Sequence, residues 1–234
     1  MFVPPVSTLT TTTMATESQP IYFRTLDSQP WERGDREVTA EWQQARMLHA
    51  ITRAVAEKGY AKVTVADVVG LAGVSRRTFY EHYNDVEDCF VAAYETATRE
   101  LLAAVGDAVR AATAPDWHER FEVAIAAYVE GLASDPHVAR ACLVDVQGAG
   151  PRAVEMRRLV YERFVTQMRA LRNGRRDGRV EIPQVQVQAA VGAIGELVQE
   201  QIFDRGAESL PELTPTLVRI GWALLESPFE LARG

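Results

Sequence analysis

The sequence predicts an all-α chain: a three-helix N-terminal unit carrying a helix-turn-helix, followed by a longer helical body. Three observations lead there. From about position 41 onward, apolar residues recur at intervals of three and four, the helical period. No stretch alternates apolar and polar residues up to a hairpin turn. Between 64 and 83, two short helical patterns are separated only by a turn containing Gly73.

The elements follow in order. Residues 1–40 lack a sustained apolar period. Thr8, the run Thr10 to Thr13, and Pro4, Pro5, Pro20 and Pro30 leave little to bury against the cost of ordering. This segment is expected to be a flexible tail, with Met14 an alternative start. A first helix is predicted over 41–58 from Ala45, Leu48, Ile51, Ala54 and Val55, stopped by Gly59. Thr64, with Asp67 three residues on, reads as a capping box for a two-turn helix that sets Val65, Val68, Val69 and Ala72 on one face, with Leu71 also expected in the core, and ends at Gly73. Ser75 caps a third helix, 76–83, in which Phe79 and Tyr83 lie four apart and reach the core together. Beyond Asn84, helices are predicted at about 86–112, 117–134, 137–147, 151–173, 185–205 and 213–226, with a basic loop at 174–178. The expected domains are the tail at 1–40, the helix-turn-helix unit at 41–88 and the helical body at 89–234.

Composition narrows the function classes. With 234 residues, 47% hydrophobic and 24% charged, the chain has ample core material for a globular protein. No run is apolar enough for a membrane span, and the first residues do not read as a secretory signal. Cys89 and Cys142 offer neither a disulfide framework nor paired metal-ligand spacing, so a reducing cytoplasm is expected, with no metal and no cofactor. Cys89 is expected to be packed and unreactive. The net charge of −7 hides an uneven distribution. Between Trp42 and Tyr80, Arg46, Arg53, Lys58, Lys62, Arg76 and Arg77 face only Glu57 and Asp67, a local excess of four positive charges. Such a segment can dock on phosphates while an acidic body stays clear.

The ordered string Gly59-Tyr60, the Thr64 cap, Gly73-Val74-Ser75 and Thr78-Phe79-Tyr80-Glu81-His82-Tyr83 resembles the N-terminal domain of TetR-family regulators. The resemblance spans about 45–94, including the opening of a fourth helix at Asp85. It implies a two-fold dimer on double-stranded, palindromic operator DNA, regulated by a small-molecule effector, and most simply a repressor. It implies phosphate contacts from Thr64, Tyr80 and His82, a capping hydroxyl near the backbone at Ser75, and groove-facing positions for Arg76, Arg77 and Thr78. One departure stands out. Where relatives place a lysine at the start of the fourth helix, this chain has Val86 flanked by Asp85, Glu87 and Asp88. Those acids suit a helix N-terminus but should repel DNA.

In the body, Val187, Val191, Ile194, Val198 and Ile202, and then Leu213, Leu217, Ile220, Leu224 and Leu225, recur at helical spacing. Small residues, Ala189, Gly192, Ala193 and Gly195, would permit close helix approach. These two helices are expected to form a homodimer's four-helix interface, where the resemblance also places it. Tyr94, Trp117, Phe121, Tyr128, Tyr161 and Phe164 are candidates to line the effector cavity, or else plain core. An enzyme using Glu122, Glu130 or His137 is the rival class, but no nucleophile elbow, metal-ligand helix pair or phosphate-cradling Gly-rich loop supports it. A helical adaptor without DNA binding is the other rival, kept open by the acids around Val86.

Overall fold

The computed structural model describes residues 36–114, 116–173 and 182–226; most of the expected tail and the whole basic loop lie outside them. Among these residues the elements are α1 (Arg36–Lys58), α2 (Val65–Ala72), α3 (Arg76–His82), α4 (Val86–Ala111), α5 (Trp117–Ala133), α6 (Pro136–Leu143), α7 (Pro151–Asn173), α8 (Gln184–Arg205) and α9 (Thr214–Glu226). Short 3-10 segments at Tyr60–Lys62, Asp145–Gly148 and Ala207–Leu213 join them, and the described residues contain no strand.

Most starts are set by local caps. Thr64 caps α2, Ser75 α3, Asp85 α4, Asp116 α5 and Asp135 α6, each accepting from backbone N–H groups of the first turn. Helix α1 begins at Arg36, five residues before the expected start at 41. Positions 36–40 hold neither Gly nor Pro, so a helix anchored further on extends back through them at little cost. The expected sixth helix, 137–147, is instead α6 followed by the 3-10 segment Asp145–Gly148.

One apolar core runs through the molecule. At the N-terminal end, Ile51, Val55, Val68, Phe79 and Tyr83 are buried together. Leu71, expected there, is 41% exposed. A two-turn helix buries a single line, here Val68 and Ala72, and Leu71 falls one residue off it. Helix α4 leaves this head and enters the body, packing on α1, α5 and α7, while α1 also packs on α6.

The last helices correct a second expectation. Val187, Ile194, Val198 and Ile202 on α8, and Leu217 and Leu225 on α9, are buried within the chain itself. Helix α8 packs on α6, α7 and α9, which consume its most apolar line. Its outward line is Val185, Ala189, Gly192, Glu196 and Phe203, in which Val185 is 54% and Phe203 66% exposed.

Candidate nucleic-acid interface

The head is built to hold α3 rigidly at the surface. Thr64 Oγ1 accepts from the Asp67 N–H at 3.3 Å and donates to Asp67 Oδ2 at 2.8 Å, and the Thr64 N–H donates to the same carboxylate at 3.0 Å. The capping box is therefore closed. Lys58 Nζ donates to Asp67 Oδ1 at 2.5 Å, tying α1 to α2. That bond, followed by those from Thr64, holds the Asp67 carboxyl down at about 2. The turn then passes through Gly73 at φ +63°, a left-handed position that glycine takes without strain. Ser75 Oγ accepts from the Thr78 N–H at 3.0 Å and starts α3.

Helix α3 has two faces. Phe79 and Tyr83 are buried, their rings 5.7 Å apart, and anchor the helix. Arg76, Arg77 and Tyr80 project into solvent on the other side, Tyr80 being 59% exposed. The Tyr80 ring stands edge-on against Phe79 at 5.5 Å, which steadies an exposed hydroxyl. Thr78 is half-buried, its Oγ1 sharing a hydrogen bond with Ser75 Oγ at 2.9 Å. His82 is half-buried beside Tyr83. The predicted residues Thr64, Ser75, Arg76, Arg77, Thr78, Tyr80 and His82 thus lie on or flank one helix-turn-helix.

The local positive charge is less available than the sequence implies. Arg53 pairs with Glu57, Lys58 with Asp67, and Arg77 Nε with Glu81 at 3.0 Å. Arg46 lies over the Trp42 ring at 4.4 Å. Among the described residues, Arg76 and Lys62 make no side-chain ion pair or hydrogen bond and keep their charge for a ligand. At the start of α4, Asp85, Glu87 and Asp88 are all engaged by one cation, Arg152 of α7. Sequence reading missed that partner, which lies 65 residues beyond Glu87 and carries no local signal. Cys89 is buried and its thiol is pushed up by desolvation, as expected of an inert cysteine.

The six body aromatics do not converge on one point. Trp117 and Phe121 pack together at 6.1 Å near α9, with Arg172 over the Trp117 ring. Tyr128 and Phe164 pack at 5.6 Å between α5 and α7. Tyr94, in α4, is buried, and Tyr161 donates to the Gln188 carbonyl at 2.7 Å. Two open grooves mark the surface: one of about 490 Å³ along Leu159, Arg163 and Gln167, the other of about 550 Å³ between α5 and α9 at Val123, Val218 and Trp222. None of the six aromatics lines either groove.

Residues 47–93 match the model for bacterial regulatory proteins of the tetR family. Over this segment the chain is similar to the N-terminal domain of that family. Solved structures of transcriptional regulators share the architecture of most of the chain. The fatty acid degradation regulator FadR from Bacillus halodurans aligns over 78% of this chain and 94% of its own, at 18% identity and a TM-score of 0.68. FadR from Bacillus subtilis, solved in complex with stearoyl-CoA, aligns over 77% and 96%, at 13% identity and a TM-score of 0.67. A transcriptional regulator from Rhodococcus sp. Rha1 aligns over 78% and 95%, at 21% identity and a TM-score of 0.62. Curated protein sequences gave no match. Residues 47–93 are thus similar to a family of bacterial regulatory proteins, and most of the chain shares the fold of solved transcriptional regulators.

Proposed function

We propose that this protein is a cytoplasmic homodimer that represses transcription by binding a palindromic operator and leaves it when a small molecule binds the body. The observation carrying the DNA half is the exposed face of α3, where Arg76 is uncommitted and Tyr80 is exposed on a helix capped by Ser75 and anchored by Phe79 and Tyr83. In this reading Thr64, Tyr80 and His82 hold phosphates, and Ser75 presents its cap beside the backbone. Arg76, Arg77 and Thr78 face the major groove. The working division is a tail through 40, a reading head over 41–88 and an effector and dimerisation body from 89 on.

Dimerisation is supported by the outward line of α8, with exposed Val185 and Phe203 at its two ends and Ala189, Gly192 and Glu196 between them. For the effector, Tyr94, Tyr128, Phe164 and Tyr161 line the α4–α5–α7–α8 region and Trp117 and Phe121 its far end. Ligand entry there requires these packed rings to part. The B. subtilis neighbour was solved with stearoyl-CoA, which makes a long acyl chain the first effector to try. The test is selection of bound genomic fragments by the purified protein, followed by gel shift with and without stearoyl-CoA and sedimentation of the free and bound forms. A selection that enriches no fragment would exclude the operator-binding reading. Retention of the DNA at saturating stearoyl-CoA would exclude that effector.

A further inference from the structure

The acidic start of α4 is gripped from the body. Arg152, in the first turn of α7, donates from Nε to Glu87 Oε2 at 3.0 Å and from Nη2 to Asp85 Oδ1 at 2.6 Å. Its Nη1 lies 3.7 Å from Asp88 Oδ1, and its backbone N–H donates to Glu87 Oε1 at 2.9 Å. The preceding loop is shaped to the contact. Gly150 sits at φ +94°, and a Cβ there would fall 2.6 Å from Glu87 Oε1, so a side chain at 150 would push the carboxylate away. An isolated surface ion pair contributes little, because two long side chains must be ordered in water. This contact differs: one planar guanidinium meets three carboxylates, and a backbone donor adds to it.

Its place gives it leverage. Asp85 caps α4 and lies two residues after Tyr83, the buried anchor at the end of the recognition helix. We propose that Arg152, although it belongs to the body, is a positioning residue for DNA binding. It fixes α3 relative to the body through the start of α4, and its charge offsets part of that on the carboxylates that would otherwise face phosphate. The proposal rests on the DNA-binding reading above.

The test uses the full chain. Wild type, Arg152→Gln, Arg152→Lys and the exchanged pair Arg152→Glu with Glu87→Arg are titrated against a genomic fragment recovered by the wild type and against unrelated duplex. Each is measured at low and moderate salt, with thermal melts alongside. Arg152→Gln is expected to lose affinity for both duplexes about tenfold at low salt. The deficit should narrow as salt screens the bared carboxylates. Arg152→Lys and the exchanged pair should recover most of it. Unchanged affinity of Arg152→Gln overturns the proposal, as does a loss that neither the lysine variant nor the exchanged pair recovers. Should Arg152→Gln fail to fold, the exchanged pair, which restores the contact with charges reversed, decides in its place. A wild type that retains no DNA fragment refutes the DNA-binding reading itself, and the positioning role falls with it. A wild type that binds while Arg152→Gln binds equally well refutes the positioning role alone.

Discussion

His49 Nε2 on α1 stands 3.6 Å from Asp135 Oδ2 at the N-cap of α6, so one carboxylate both starts α6 and ties it to the reading head. Asp135 Oδ1 accepts from the N–H groups of His137 and Val138, each at 3.1 Å. Burial pushes the Asp135 carboxyl up. The hydrogen bonds from His49 and the Val138 N–H, with the attraction of His49 and His137 when these are protonated, outweigh burial and leave it below its ordinary value.

A carboxyl depressed in the folded state stabilises the fold above its unfolded pKa and loses that contribution as pH falls through the folded value. Asp135→Asn should therefore cost about 1–2 kcal/mol at neutral pH, because a charged acceptor is replaced by a neutral one. The gap between the two proteins should begin to narrow below about pH 4, the unfolded aspartate range, and close as pH falls through the lower folded value. Denaturant titrations at pH 7 and at low pH measure it. An equal cost at both would show that cap geometry, not charge, is what Asp135 supplies.

Helix α9 meets α5 at Gly221, where a Cβ would overlap the Phe121 ring. Gly221→Ala should destabilise by about 1–3 kcal/mol, the range for overpacking a closed core. Pairing it with Phe121→Leu should recover part of the loss, because the two changes share one contact. Thermal melts of the two single variants and the double variant check this. Strict additivity would mean that α9 shifts to accommodate the methyl.

Dimerisation and folding are separable on α8. Ile194 is 5% exposed and Phe203 66%. Ile194→Glu buries an unpaired charge and should cost about 3 kcal/mol or more, unfolding the chain. Phe203→Glu should leave the thermal melt nearly unchanged and convert a sedimenting dimer to monomer. An intact chain that already sediments as a monomer would rule out the proposed assembly.

On the recognition helix, Tyr80→Phe and Thr64→Ala remove groups assigned to phosphate. Both should weaken binding to all sequences about equally. Thr64→Ala should also cost about 1 kcal/mol of stability through its cap. Arg76→Ala should cost about 1–3 kcal/mol of binding and relax preference at one position per half-site. Arg77→Ala should do less, because Arg77 must first leave Glu81. Selection from random DNA by each variant reads these outcomes. An unaltered preference in every variant would overturn the assignment of this face.

The reading head was legible because its determinants are close in sequence. The Thr64–Asp67 box, the left-handed Gly73, the Ser75 cap and the four-residue spacing of Phe79 and Tyr83 each act within a turn or two of helix, and each is present as expected. Helical period likewise placed most of the body's helices to within one or two residues. It could not say which neighbour each apolar stripe would meet. Ile194 and Ile202 look alike whether they face a partner or their own chain, and only the packing of α8 on α6, α7 and α9 assigned them to the chain's own core. Nor could spacing join Arg152 to Glu87, His49 to Asp135 or Gly221 to Phe121. Those contacts depend on where whole helices cross, and a crossing is set by the summed packing of many side chains, not by any short run of residues.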